Sequence, residues 1–201
     1  MVNSYGAIKE IKEYADKNNV PIMTGEGISY LTNYIIKHQI NNILEIGTAI
    51  GYSAIMMALS NPNAQITSIE RDEKRYLEAL KNIKKLNLEN RINLIYNDAL
   101  EVKIEEKFDL IFIDAAKAQN IKFFERFEKN LNPNGTVITD NMNFHGLVNK
   151  KESDINSRNL RALVRKIKGY KEFLKTNTNY DTEFLDIGDG IAVSKLKDKK
   201  N

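Results

Sequence analysis

The run Leu44-Glu45-Ile46-Gly47-Thr48-Ala49-Ile50-Gly51-Tyr52-Ser53 decides how the rest of the chain is read. Its first half closes the short apolar run NNILEIG (41–47), which reads as a buried strand, and its second half opens a helix near 51–60. Gly47 and Gly51 mark a tight strand-to-helix turn in which backbone can approach a ligand at a helix N-terminus, and Ser53 can hydrogen-bond a ligand carboxylate. The spacing is G-x-x-x-G. It is neither the G-x-G-x-x-G dinucleotide pattern nor a P-loop, because no G-K-[ST] follows.

Outward from this turn, the same alternation repeats. Amphipathic stretches near 4–18 and 25–38 precede it. Strand QITSIE (65–70), helix 73–86, strand INLIYN (92–97), a short helix from about 99, strand DLIFID (109–114), helix 118–130 and strand GTVITDN (135–141) follow it. Near-continuous apolar strands alternating with helices predict a parallel sheet covered on both faces. The end breaks the pattern: after helix 154–175, EFLDIG (183–188) and IAVSKL (191–196) are joined by so short a turn that they must be antiparallel neighbours. The expectation is an α/β fold in one domain over 1–201, with the N-terminal helices of 1–38 as a cap.

Composition narrows the chemistry. With 201 residues, 42% hydrophobic and 28% charged, the chain is long enough for one sizeable core and too apolar for disorder. No run approaches the roughly 18 apolar residues of a membrane span, and the N-terminus lacks a signal-peptide core, which predicts a cytoplasmic protein with no membrane partner. The absence of cysteine excludes disulfides, thiolate zinc sites and attack through sulfur. The two histidines, His38 and His145, are too few and too far apart for a histidine-rich metal site. His38 reads as a charge-favoured cap near a helix C-terminus, and His145 as a loop residue that could touch substrate.

In an open parallel sheet, ligands bind beyond the carboxyl ends of the strands. The second strand ends in Glu70, placed to accept hydrogen bonds from ribose hydroxyls, although a solvated carboxylate is the plainer reading. The third ends in Asn97-Asp98-Ala99, where Asp98 is either a helix N-cap or an adenine contact. The fourth and fifth end in Asp114 and in Asp140-Asn141. Carboxylates that finish buried runs are costly unless paired, solvated or bound to a cation. Two carboxylates and one amide oxygen suit a hard divalent ion such as Mg²⁺; helix caps would explain one such aspartate more easily than the whole set. Lys117, three residues past Asp114, is either a surface lysine or a general base favoured in its neutral form by a nearby cation.

LEIGTAIGYSAI, Glu70, NDAL (97–100), DAAK (114–117), DN (140–141) and IGDG (187–190) together resemble the cation-dependent class I O-methyltransferases, the group of the catechol and caffeoyl-CoA enzymes. The likeness runs from about Pro21 to Leu196. Within the group, the chain most resembles the bacterial transfer-RNA wobble 5-hydroxyuridine O-methyltransferases that make 5-methoxyuridine. The resemblance implies a Rossmann-like, seven-stranded, mostly parallel sheet with an antiparallel last strand, and a homodimer. It places Glu45 and Gly47 at the start of the S-adenosylmethionine loop. It puts Ser53 and the backbone near Met23 at the methionine end of that cofactor, Glu70 at the ribose and Asp98-Ala99 beside adenine. Asp114, Asp140 and Asn141 correspond to metal ligands and Lys117 to the candidate base. DAAKAQN departs from the plant enzymes by lacking their acidic residue and tyrosine, which argues against a phenylpropanoid substrate.

On this reading, the cation holds two adjacent substrate oxygens and directs one at the sulfonium methyl. The 5-hydroxyl and 4-carbonyl of 5-hydroxyuridine chelate as a catechol does, so the alternative of a small catechol-like substrate shares the chemistry. A non-enzymatic nucleotide- or RNA-binding module would need neither the strand-end acids nor Lys117. The basic character is local: residues 149–175 carry nine Lys/Arg against three Asp/Glu. There, Leu160, Leu163, Val164 and Ile167 predict a buried stripe, and Arg158, Arg161, Arg165 and Lys168 a cationic one. Arginine suits phosphate, so Arg158, Arg161 and Arg165 are candidate tRNA contacts, with a plain solvated face as the alternative.

Overall fold

In the strands, successive residues take opposite sides of the sheet, and both sides are covered. Ile43, Leu110, Phe112, Ile138 and Val193 face one cluster, whereas Leu44, Ile46, Ile111, Ile113 and Val137 face the other. The computed structural model describes residues 4–197, so the extreme ends of the expected 1–201 domain lie outside the described residues. In chain order the elements are α1 (Ser4–Asn18), α2 (Gly25–His38), β1 (Asn42–Ile46), α3 (Tyr52–Ser60), β2 (Gln65–Glu70), α4 (Glu73–Lys85), β3 (Ile92–Tyr96), β4 (Phe108–Ile113), α5 (Asn120–Phe127), β5 (Leu131–Thr139), α6 (Arg158–Thr176), β6 (Tyr180–Leu185) and β7 (Ile191–Leu196).

The seven strands form one sheet in the order β3-β2-β1-β4-β5-β7-β6. β1 to β5 pair in parallel, and β7 inserts antiparallel between β5 and β6, as the terminal hairpin requires. Strand order reverses at β1, whose neighbours are β2 and β4, so a crevice opens at the carboxyl ends of these strands. The N-terminal helices α1 and α2 share a cluster with α3, burying Ile11, Leu31, Ile35 and Ile55 over one face. Helices α5 and α6 cover the other, with Phe123, Phe124, Phe127 and Tyr170 as the largest contributors.

Three local expectations are corrected. The short helix from about 99 is a single turn, in which Glu101 and Val102 donate to the Asp98 carbonyl. The chain then runs without regular secondary structure to β4, and side chains from elsewhere take its carbonyls: Arg126 donates to Val102 O at 2.6 Å and Asn130 to Ile104 O and Glu106 O. β5 begins earlier than expected, at Leu131, because its pairing with β4 continues through a register shift that absorbs Pro133, which has no N–H to donate. In α6 the buried stripe is Val164, Ile167, Tyr170 and Leu174, while Leu160 is 38% exposed. The first turn of α6, capped by Ser157, therefore overhangs the core.

Candidate active site

The turn after β1 is tied to the end of β2. Gly47 and Thr48 donate to Ile69 O, and the Glu70 carboxylate accepts the N–H groups of Ala49 at 2.7 Å and of Arg71 and Asp72 at 2.9 Å each. Gly47 has φ 96°, and a Cβ there would lie 2.4 Å from the Asp114 carbonyl oxygen, so both its conformation and its contact with the β4 end demand glycine. Asp98 accepts its own Leu100 N–H and receives Arg71 at 3.3 Å. It is thus a turn cap and an ion-pair partner as well as a wall of the crevice.

The sheet ladder continues past β4 and β5. Asp114 N donates to Ile46 O at 3.0 Å and Asp140 N to Ile113 O at 3.1 Å, which stacks the two aspartates beside Gly47 across adjacent strands. Lys117 Nζ lies 3.3 Å from Asp114 Oδ1. Burial, reinforced by the Asp114 charge, pushes the Asp140 carboxyl above its ordinary range. A cation between the two acids would relieve this penalty. Asn141 has φ 60°, and its Nδ2 donates to Asp189 Oδ2 at 3.1 Å, which leaves Oδ1 as the atom available to a cation. Among the described residues no three His, Cys, Asp or Glu side chains form a metal-holding group, so a cation here depends on the amide oxygen with the two carboxylates.

These ends surround one cavity of about 260 Å³. Its walls include Met23, Gly47, Glu70, Asp98 and Ala99 on one side and Asp114, Lys117, Asp140 and Asn141 on the other, with Ile69 and Phe123 as apolar surface. An acceptor-only carboxylate beside an apolar wall is what an adenosine moiety requires, and two acids with an amide oxygen match a hard cation. The O-methyltransferase family model matches residues 2–197. The chain belongs to the O-methyltransferase family. Among solved structures, a Staphylococcus aureus protein ascribed to the caffeoyl-CoA O-methyltransferases superimposes with a TM-score of 0.90 at 40% identity, covering 94% of this chain and 92% of that one. The Bacillus cereus O-methyltransferase in complex with S-adenosylhomocysteine gives 0.80 at 27% identity, covering 96% and 91%. The caffeoyl-CoA O-methyltransferase of Populus kitakamiensis is 28% identical over 203 residues, 94% of this chain and 85% of that protein.

Several expected residues of this O-methyltransferase lie elsewhere than at the cavity. Glu45 and Ser53 sit beneath it: the Ser53 and Ser68 hydroxyls donate to a fully buried Glu45 carboxylate, so Ser53 is directed inward rather than to a ligand carboxylate. Burial raises the Glu45 carboxyl to about 7, against the lowering effect of the two hydroxyls. His38 does lie in the last turn of α2, but its surroundings disfavour the charge that the expected cap would use. Burial and the nearby Lys195 and Lys37 lower its pKa, and its ring packs on Tyr34 at 4.2 Å. The cationic stripe is partly engaged within the chain, since Arg161 donates to Ile155 O at 2.5 Å and Arg165 pairs with Glu152 at 3.2 Å, while Arg158 is exposed. Sequence reasoning missed Gln119, which lines the cavity and whose buried Oε1 has no partner. It lies within the run DAAKAQN (114–120), whose departure from the plant enzymes is the signal that could have found it.

Proposed function

We propose that this O-methyltransferase uses S-adenosylmethionine and a divalent cation such as Mg²⁺ to methylate a hydroxyl that has a second oxygen on the adjacent carbon. The substrate we favour is 5-hydroxyuridine at the tRNA wobble position, giving 5-methoxyuridine. The observation that carries this reading is the convergence of Asp114, Asp140, Asn141 and Lys117 on the cavity that also holds Gly47, Glu70 and Ala99. If bound there, S-adenosylmethionine would supply a sulfonium methyl group and a divalent cation would lower the pKa of the substrate hydroxyl. Glu70 accepts from ribose hydroxyls, and Ile69, Ala99 and Phe123 give the base an apolar bed. Asp114, Asp140 and the Asn141 Oδ1 would hold the cation. Lys117, ion-paired with Asp114 at 3.3 Å when no cation is bound, would take the hydroxyl proton as its neutral amine once a bound cation engages Asp114 and drives off the ammonium proton to solvent, with the oxygen aligned for in-line displacement. Arg158, exposed at the start of α6, meets substrate phosphate.

A small catechol-like substrate is the second reading, favoured by the pairing of Arg161 and Arg165 within the chain, which leaves fewer cations for an RNA backbone. Mass spectrometry of tRNA nucleosides from a deletion strain separates the two. Loss of 5-methoxyuridine with accumulation of 5-hydroxyuridine supports the tRNA reading, and an unchanged nucleoside profile supports the small molecule.

A further inference from the structure

The hairpin turn between β6 and β7 packs against the loop that follows β5, and its contacts converge on Asp189. This carboxylate is only 7% exposed. One oxygen accepts the Asn141 side-chain amide at 3.1 Å and the other accepts the backbone N–H of His145 at 2.5 Å. The backbone repeats the embrace: Met142 N donates to Gly190 O at 2.9 Å and Asn143 N to Asp189 O at 2.8 Å. Gly190 has φ 82°, and a Cβ there would fall 2.8 Å from the backbone nitrogen of Asn143, so the two segments touch at backbone distance.

The clasped loop is conformationally costly. Asn141, Phe144 and His145 adopt φ values of 60°, 44° and 54°, a region that asparagine and histidine enter more readily than most side chains but that is costly for Phe144 unless surrounding contacts hold it there. Asp189 supplies two of those contacts. Its chemistry also decides the polarity of Asn141. An amide can turn either its oxygen or its NH₂ toward a cation site, and an ionised carboxylate accepts only, so it captures the NH₂.

We propose that Asp189 is a positioning residue that locks the amide orientation of Asn141 and thereby sets how tightly the site holds a divalent cation. This rests on the reading of Asp114, Asp140 and Asn141 as cation ligands. Partners that orient a ligand from behind commonly govern metal affinity by about 10–100-fold.

The test is direct titration of the full chain with Mn²⁺, following the electron paramagnetic resonance of the free ion, alongside calorimetry with S-adenosylhomocysteine. Asp189→Ala is expected to weaken Mn²⁺ binding by about 10-fold or more, with cofactor affinity unchanged. Mn²⁺ affinity equal to wild type in a folded Asp189→Ala protein would overturn the role of Asp189 alone. A wild type that binds Mn²⁺ no better than Asp140→Ala would overturn the cation reading and this inference with it. Because loss of the clasp could impair folding, a reciprocal exchange gives a second route. Asn141→Asp sets two carboxylates against each other, and Asp189→Asn removes one acceptor. Together they restore a hydrogen bond of reversed polarity and leave a carboxylate oxygen for the ion. The combined variant is expected to bind Mn²⁺ more tightly than Asn141→Asp; losses that simply multiply would refute the pairing.

Discussion

Glu70 reaches back across the turn after β1 to accept the Ala49 N–H at 2.7 Å, so the acid that ends β2 also shapes the glycine turn that ends β1. The same carboxylate lines the cavity at 7% exposure, so the role proposed for it, accepting from the cofactor ribose, would couple cofactor binding to the geometry of the turn.

Glu70→Ala should therefore weaken S-adenosylmethionine binding by about 1–3 kcal/mol, the scale of a lost charge-assisted hydrogen bond. The cation site should be spared. Calorimetry checks this, and an unchanged cofactor affinity would leave Glu70 as a clamp on the turn only.

Removing either strand-end acid should be more severe. Asp114→Ala or Asp140→Ala is expected to abolish methyl transfer, and EDTA should do the same to the wild type, reversed by excess Mg²⁺. Full turnover in chelator would eliminate the cation from the mechanism.

Lys117→Ala should lower turnover more than substrate affinity, because Lys117 is assigned to the moving proton. Steady-state kinetics separates the two parameters. A change confined to KM would make Lys117 a substrate-positioning group.

Glu45 predicts a pH dependence of stability. Its folded pKa of about 7 lies above its ordinary 4.5, so the native state holds a proton that the unfolded chain releases. The stabilisation from that proton is complete below pH 4.5 and disappears as pH rises toward 7, a change on the order of 3 kcal/mol. Glu45→Gln, which carries no titrating proton, should flatten this slope and gain stability relative to wild type at pH 8. Denaturant melts at pH 5 and pH 8 test it, and parallel wild-type and variant curves would count against it.

The exposed start of α6 gives the last expectation. Arg158→Glu should reduce methylation of tRNA and lessen its salt dependence while sparing a catechol-like surrogate. Arg161 and Arg165 are poorer probes, because reversing them breaks bonds to Ile155 and Glu152 and would disturb the loop before α6. No effect of Arg158→Glu on either substrate would favour the small-molecule reading.

From the sequence alone, the alternation of strands and helices, the reversed terminal hairpin and the set Gly47, Glu70, Asp98, Asp114, Asp140 and Asn141 could all be read. These follow from local periodicity, and parallel strands joined by helical crossovers must bring their carboxyl ends to one edge. What only the tertiary structure decided involves partners distant along the chain. Asp189 meets Asn141 across 48 positions, and Ser53 turns to Glu45 rather than to the cavity. Leu160 stays in water because the first turn of α6 overhangs the core, although its helical spacing is that of a buried residue. The run after Asp98 forgoes a helix, and Arg126 and Asn130 take its carbonyls. Periodicity records which side of an element faces inward, but whether that side is covered, and which acceptor a polar group finds there, depends on the neighbours that the strand order delivers.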